Sequence, residues 1–152
     1  MIRSYLRGKW HLIPGDGQKT GNYVYIDDVV NGHASAMEKG RPGEHYLLGG
    51  ENITYQKFFF LLKTLSRKNH FLVKIHVSGM MVLSKLLIFS AEKFNVPPPI
   101  TPAMVRKLTA DWMVSSRKAE QELTYSPVSL REGLQKTISW LRFQPRGFQA
   151  HE

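Results

Sequence analysis

Cysteine is absent from this 152-residue chain. Its absence excludes a disulfide scaffold, an iron–sulfur cluster, a thiolate zinc site and a catalytic thiol, and it gives no sign of secretion. The first residues likewise contain no apolar core long enough for a signal peptide. We therefore expect a cytoplasmic protein, and a content of 42% hydrophobic and 22% charged residues predicts one folded globular unit.

Long uninterrupted hydrophobic runs are also absent. The most apolar stretch, 71–91, is broken by Lys74, His76 and Lys85, whereas a membrane-spanning helix needs about 20 nearly continuous apolar residues. We expect this stretch to be buried in protein. The less favoured alternative is a membrane-surface helix flanked by Lys85 and Lys93.

Acidic residues are scarce, since 12 Asp and Glu face 21 Lys and Arg and leave a net charge of +9. An excess of Lys and Arg suits nucleic acid because these side chains neutralise phosphates. The basic residues are scattered and mixed with Glu, however, and no zinc-finger, basic-zipper or aromatic RNA-binding motif is present. We expect no nucleic-acid partner.

The first fifty residues alternate between extended and helical patterns. Two short apolar segments flank the turn-rich stretch 14–21, which predicts two strands around a glycine loop. Apolar residues at helical spacing after Asp27 and Asp28 predict a helix to Lys39, with both carboxylates capping its start. The glycine-bounded apolar run 44–50 predicts a buried strand, so that strand, helix and strand suggest a parallel α/β sheet.

The remainder of the chain is predicted to be mainly helical. An apolar stripe follows Thr54, and a Ser129–Glu132 capping box precedes the stripe of the last helix. Thr101 and the proline after it combine an N-cap oxygen with proline at the first helical position. The predicted elements are therefore a helix from Thr54, a strand within 71–77, a helix towards Ala110, a helix at 117–123 and a helix from Ser129.

Residue types that carry chemistry are few. The Gly15–Gly21 loop does not qualify as a phosphate cradle, because a strand-like segment rather than a helix follows it. The six histidines show no paired ligand spacing, and no serine elbow is present. Asn22 is the exception, since it would lie on an apolar strand face, where a buried amide needs either backbone partners or a ligand. The pattern alone favours a backbone partner.

Four segments together resemble one enzyme family. They are IPGDG at 13–17, NYVYIDDVVNGH at 22–33, GEHYLLGGEN at 43–52 and SSRKAEQELTYSP at 115–127. The chain is similar to the extended short-chain dehydrogenase/reductase superfamily, and within it to the NAD-dependent epimerase/dehydratase and dihydroflavonol reductase-like group.

The resemblance implies an α/β fold that corresponds to the C-terminal portion of an extended Rossmann-type enzyme. Residues 1–50 would supply the last sheet strands, 51–143 a mainly helical substrate-binding cap and 144–152 a flexible tail. The family's glycine-rich cofactor fingerprint and its catalytic Tyr-x-x-x-Lys would precede Met1. Tyr5 and Lys9 have the right spacing but lie just before the substrate loop, outside the long catalytic helix. NAD or NADP is thus implied for the full-length parent, and no cofactor is expected to bind this fragment alone.

Substrate contacts are what the resemblance implies for the residues present. Asn22 corresponds to a polar substrate-contacting position, with Ile13, Pro14 and Tyr25 as weaker candidates, whereas no catalytic, cofactor-binding or metal-binding residue is expected. Nucleotide-sugar epimerases of this kind carry an arginine just before the same strand to bind a diphosphate. The matching positions here are Gly21 and Asn22, which favours a smaller or more apolar carbonyl or hydroxyl compound.

Two functional hypotheses follow. The first is the substrate-binding part of an NAD(P)-dependent oxidoreductase that reduces a ketone or aldehyde, inactive as this fragment. Its partners would be a small-molecule substrate and either the missing N-terminal half or a second copy, and it should expose the apolar flank of 46–48 and the helix that follows Asp28. The second is a non-catalytic small-molecule-binding or protein-interaction module derived from that fold.

Overall fold

A computed structural model describes residues 1–10, 12–94, 98 and 100–143. The predicted tail at 144–152 lies outside the described residues. In chain order the elements are α1 (Ile2–Leu6), β1 (Leu12–Pro14), β2 (Thr20–Tyr23), α2 (Ile26–Lys39), β3 (Glu51–Thr54), α3 (Tyr55–Ser66), β4 (Val73–Ile75), α4 (Val77–Phe94), α5 (Pro102–Thr109), α6 (Arg117–Leu123) and α7 (Leu130–Phe143).

The strands form two separate two-stranded ladders. β1 pairs in parallel with β4, with Ile13 opposite Lys74. β2 pairs antiparallel with β3, with Asn22 opposite Asn52. The α/β class predicted from the sequence is confirmed. The predicted parallel pairing of the strands on either side of α2 is wrong, because β2 and β3 run antiparallel to each other.

One apolar core joins the two ends of the chain to its middle. It combines α1 and β1 with the inner faces of α3 and α7, so it crosses the predicted division after residue 50, and that division stays a prediction. The stripes predicted for α3 and α7 point into this core, as helical spacing requires. Its buried members are Tyr5, Ile13, Tyr55, Phe58, Phe59, Leu62, Leu130, Leu134 and Ile138.

The buried strand predicted for 44–50 is not formed. This segment has no ladder partner among the described residues, and the strand that follows Gly50 is the polar Glu51–Thr54. Leu47 is accordingly 62% exposed instead of buried. The apolar pattern indicated a segment suited to a buried strand. A strand also needs a neighbouring strand to pair with its backbone hydrogen-bonding groups, and the pattern does not reveal whether one is present.

The predicted position of the two carboxylates is confirmed, since Asp27 and Asp28 lie in the first turn of α2, but neither of them is its N-cap. The N-cap of this helix is Tyr25, and its side chain makes no capping hydrogen bond. Asp28 lies in the first turn, but its carboxylate accepts a hydrogen bond from the backbone N–H of Val128 at 3.0 Å. Asp28 therefore ties the start of α2 to the segment before α7.

The helices predicted downstream are confirmed. Thr101 accepts a hydrogen bond from the N–H of Met104 at 3.2 Å, which starts α5 at Pro102. Ser129 accepts one from the N–H of Glu132 at 3.3 Å, while the Glu132 carboxylate pairs with Lys136. Among the described residues, none of the helices combines the length and apolarity needed to cross a bilayer.

Candidate functional site

The loop between β1 and β2 is packed against the core. Ile13 is only 7% exposed, and a Cβ placed on Gly17 would lie 2.9 Å from its Cγ2 atom. The Pro14 carbonyl accepts a hydrogen bond from the Gly17 N–H at 3.1 Å, and the Gly15 N–H donates to the Ile75 carbonyl at 2.9 Å. The loop is thus held on both sides by backbone hydrogen bonds.

Asn22 connects β2 to the segment that follows α2. Its Nδ2 donates to the Gly50 carbonyl at 3.0 Å, and its Oδ1 accepts from the Gly50 N–H at 3.0 Å. The second Nδ2 hydrogen reaches the Asn52 Oδ1 at 2.9 Å. The structural interpretation of Asn22, that its amide binds a backbone group, is confirmed. Both Nδ2 hydrogens are used, while Oδ1 keeps one acceptor site.

Gly49 is held by two side chains that the sequence did not single out for this role. Ser116 is the N-cap residue of α6, but its side chain makes no capping hydrogen bond; its Oγ donates to the Gly49 carbonyl at 3.0 Å and accepts from the Gly49 N–H at 2.8 Å. Tyr125 also donates to the Gly49 carbonyl, at 3.1 Å. Side chains thereby supply the hydrogen bonds that a neighbouring strand would otherwise make to this segment.

Asn52 extends the same network to the chain before α6. Its Nδ2 donates to the Val114 carbonyl at 2.8 Å, and its Oδ1 accepts from the Val114 N–H at 3.0 Å. We call Asn22, Asn52, Ser116 and Tyr125 the Gly49–Gly50 clamp. The partners of Asn22 are 28 and 30 residues away and those of Asn52 are 30 and 62 residues away, so they could not be assigned from spacing.

Tyr25 lies between α2 and α7. A Cβ on Gly133 would be 3.1 Å from the Tyr25 Cβ, so the glycine permits this close approach, and the Lys136 ammonium lies 5.4 Å from the ring centroid. Partial burial, followed by a hydrogen bond to the Asp27 carboxylate, raises the pKa of the Tyr25 phenol.

The ring of Tyr23 occupies the space beside Gly21. A Cβ on Gly21 would lie 3.1 Å from the Tyr23 hydroxyl oxygen and 3.2 Å from its ring. The ring stacks on Phe58 with centroids 4.3 Å apart, and the hydroxyl oxygen is buried without a hydrogen-bond partner among the described residues. Burial, with a smaller effect from Tyr55, raises the pKa of this hydroxyl.

The four predicted contact residues thus have different neighbours. Ile13 and Pro14 pack beside β4, Asn22 binds Gly50, and Tyr25 faces α7. The glycine loop between β1 and β2 does not have the geometry of a pyrophosphate cradle, because it closes as a turn and leads into β2 rather than into a helix N-terminus. Within the described ranges, His, Asp and Glu form no group of three that could hold a metal ion.

The chain is similar in sequence to several known proteins. The NAD-dependent epimerase/dehydratase family profile matches residues 1–49. Across 91% of the chain, 30% of residues are identical to the Arabidopsis thaliana 3β-hydroxysteroid-dehydrogenase/decarboxylase isoform 1, of which the match covers 35%. Across 86% of the chain, 46% are identical to the uncharacterized protein YbjS of Escherichia coli K12, of which it covers 41%.

Two solved epimerase structures are similar to the fold of this chain. UDP-glucose 4-epimerase of Thermotoga maritima, determined with UDP-glucose, superimposes with a TM-score of 0.66 at 29% identity over 93% of this chain and 37% of its own. UDP-glucuronic acid 4-epimerase of Bacillus cereus, in complex with UDP-glucuronic acid and NAD, gives 0.61 at 25% identity over 93% and 38%. The chain is thus similar to members of the extended short-chain dehydrogenase/reductase superfamily and spans about two-fifths or less of the length of these relatives.

Proposed function

We propose that this chain is the substrate-binding part of an NAD(P)-dependent oxidoreductase acting on a ketone or aldehyde. The family supports this, because its members carry the hydride chemistry on a nicotinamide cofactor and leave substrate orientation to the surrounding protein. The glycine loop of this chain leads into β2 rather than into a helix N-terminus, so the contribution proposed for this chain is substrate binding and orientation. Asn22 is the residue on which the proposal rests.

The hydrogen-bonding capacity of Asn22 restricts what it can bind. Gly50 and Asn52 take both of its Nδ2 hydrogens, whereas Oδ1 accepts only the Gly50 N–H. A substrate can therefore add one hydrogen bond, in which its hydroxyl donates to Oδ1. The phosphate oxygens of a diester carry no hydrogen at neutral pH. A phosphate placed here would therefore bring its own acceptors against the Oδ1 acceptor of Asn22, which is unfavourable.

The neighbours of Asn22 also disfavour a nucleotide sugar. An arginine at position 21 would require the Tyr23 ring to shift, because the ring lies 3.2 Å from the position of a Cβ there. The nearby cation Lys19 is already paired with Asp111 at 2.8 Å. We infer that the substrate is a predominantly apolar hydroxyl-bearing carbonyl compound or its reduced form, of flavonoid-like, steroid-like or aldehyde type.

The experiment is a titration of the ¹⁵N-labelled chain with a hydroxysteroid ketone, a dihydroflavonol and UDP-glucose, followed by amide chemical shifts. The proposal expects shifts at the Asn22 side-chain amide and at Tyr25 with one of the apolar compounds. The O-methyl ether of that compound should bind about tenfold more weakly, the usual effect of losing one hydrogen bond. Shifts at these residues with UDP-glucose alone, or with none of the three, would refute the proposal.

The same titration separates the alternative, a non-catalytic binding module. This alternative is supported by the apolar core, which is formed entirely by residues of this chain. A module should bind its compound with full affinity in the absence of any other polypeptide. The substrate-binding part of an oxidoreductase should instead bind the compound more tightly when the reading frame upstream of Met1 is expressed with it. The longer protein should then oxidise NADH or NADPH while it reduces the carbonyl compound.

A further inference from the structure

The positive charge of the chain is concentrated in its middle. Residues 52–91 contain six Lys and Arg and no Asp or Glu, although the chain as a whole has 12 acidic residues. This part of the sequence corrects the expectation that basic and acidic residues are mixed throughout. The six cations are all exposed: Lys57, Lys63, Arg67, Lys68, Lys74 and Lys85. The segment therefore carries six exposed cations, distributed over α3, β4, α4 and the turns between them, and no acidic residue of its own.

The longest helix, α4, lies in the same segment and presents apolar side chains to solvent. Val82, Leu86 and Phe89 are 59%, 62% and 72% exposed, and Lys85 is exposed among them. Their spacing of i, i+3, i+4 and i+7 puts all four on one side of the helix. We call Val82, Lys85, Leu86 and Phe89 the α4 face.

The opposite side of α4 accounts for its packing. Met80 is 4% exposed and Ser84 is fully buried, and both lie about half a turn away from the α4 face. The helix is thus already packed on one side, and α5 is its main neighbour. Burial within the described fold does not explain the apolar residues of the α4 face.

A second exposed aromatic side chain repeats this combination on α3. Phe60 is 72% exposed and lies one helical turn from Lys57 on one side and from Lys63 on the other. The Lys74 ammonium donates to the Gln56 side chain at 3.2 Å, which joins β4 to the first turn of α3. Exposed aromatic rings and unneutralised cations therefore recur on adjoining elements.

We propose that the α4 face docks onto a membrane surface that contains anionic lipids. Leu and Phe side chains of an interfacial helix enter the boundary between headgroups and acyl chains, while Lys and Arg bind the anionic headgroups. Charge favours this occupant over a second copy of the chain, because two copies of a segment that carries six cations and no carboxylate between residues 52 and 91 would repel each other. Apolar side chains at the centre of the face favour lipid over nucleic acid, whose backbone is bound through polar and charged groups.

The experiment measures co-sedimentation of the full chain with vesicles of phosphatidylcholine alone and of phosphatidylcholine mixed with phosphatidylglycerol. Binding is expected only to the mixed vesicles. Leu86→Glu with Phe89→Glu should weaken it about tenfold or more, because two apolar contacts are lost and two negative charges are added at the surface. The matched control is Val30→Glu with Met37→Glu, which makes the same charge change at apolar residues of α2 that are 58% and 89% exposed.

Three outcomes would overturn the proposal. One is the absence of wild-type binding to anionic vesicles. Another is equal weakening in the α4 and α2 double variants, which would mean that net charge alone drives binding. The third is a wild-type dimer, detected by light scattering, that the α4 variant converts to a monomer. Leu86→Ser with Phe89→Ser, which leaves the charge unchanged, should still weaken vesicle binding if the apolar residues insert.

Discussion

At the scale of single residues, Asn22 is the most informative position, because two roles are assigned to it: it holds the Gly50 backbone in the fold, and it is proposed to bind the substrate. Its amide satisfies both polar groups of the Gly50 backbone, and the Oδ1 atom keeps one acceptor site for a ligand. The sequence indicated the structural role, since a polar side chain on an apolar strand face needs a partner. It could not indicate Gly50 as that partner, because a side-chain-to-backbone pair leaves no periodic pattern.

Replacing Asn22 by Ala should lower the free energy of unfolding by about 2 to 3 kcal/mol, because it leaves the Gly50 N–H and carbonyl without their partners. Urea unfolding at neutral pH measures this. Asn31→Ala, at an exposed position on α2, is the control and should change stability by about 0.5 kcal/mol or less. Equal effects of the two substitutions would show that the clamp does not stabilise the fold.

Two tyrosines provide a second test of hydrogen bonding. The Tyr23 hydroxyl is buried without a partner among the described residues, whereas Tyr125 donates to the Gly49 carbonyl. Tyr23→Phe should therefore leave stability unchanged or raise it by about 1 kcal/mol, and Tyr125→Phe should lower it by about 1 kcal/mol. Thermal unfolding of both variants measures the difference, and a destabilising Tyr23→Phe would contradict the assignment.

The Lys19–Asp111 pair predicts a pH dependence of stability. The Lys19 ammonium, followed by the Thr20 N–H, lowers the pKa of Asp111 below its ordinary 3.8. A carboxylate with a lowered pKa in the folded state stabilises the fold above its ordinary pKa, and this contribution is lost as the pH falls through the folded value. Asp111→Asn should therefore reduce the loss of stability between pH 7 and pH 3, measured as the urea midpoint at each pH. An unchanged pH dependence would contradict the pairing in solution.

At the scale of elements, the sequence predicted the helices better than the strands. Helices α5, α6 and α7 carry their start signals and apolar stripes locally, so spacing and capping residues sufficed. The strand predicted at 44–50 failed because a strand depends on a partner that local pattern does not reveal. β3 was missed because Glu51–Thr54 is short and mostly polar, and its existence depends on pairing with β2.

Two glycines test how tightly the clamp is packed. A Cβ on Gly49 would lie 2.8 Å from the Asn22 Oδ1, 3.0 Å from Val114 and 3.1 Å from Ser116, whereas one on Gly79 of α4 would meet Ile75 at 3.8 Å. Gly49→Ala should destabilise the fold by about 1 to 3 kcal/mol through overpacking. Gly79→Ala should stabilise it by about 0.5 to 1 kcal/mol through helix propensity. Urea unfolding of the two variants should show opposite signs, and a stable Gly49→Ala would contradict the close packing.

At the scale of the whole molecule, the distribution of exposed apolar residues matters most. Val30 and Met37 on α2, and Leu47 in the segment after it, are 58%, 89% and 62% exposed. These belong to the flank that the sequence predicted to be exposed in a chain containing only this part of the enzyme family. The α4 face is a second exposed apolar surface, on a different element, and it was predicted to be buried. The sequence identified its apolar residues as part of the stretch 71–91, but apolarity alone could not indicate which side of the helix would be covered.

The most direct test of the central claim, that this chain is the substrate-binding part of an NAD(P)-dependent oxidoreductase, is the DNA sequence upstream of the Met1 codon, read in frame. The account predicts a strand–turn–helix with a glycine-rich dinucleotide fingerprint, followed by a Tyr-x-x-x-Lys motif. An in-frame stop codon immediately upstream would contradict it and would leave a decayed remnant or an independent binding module as the alternatives.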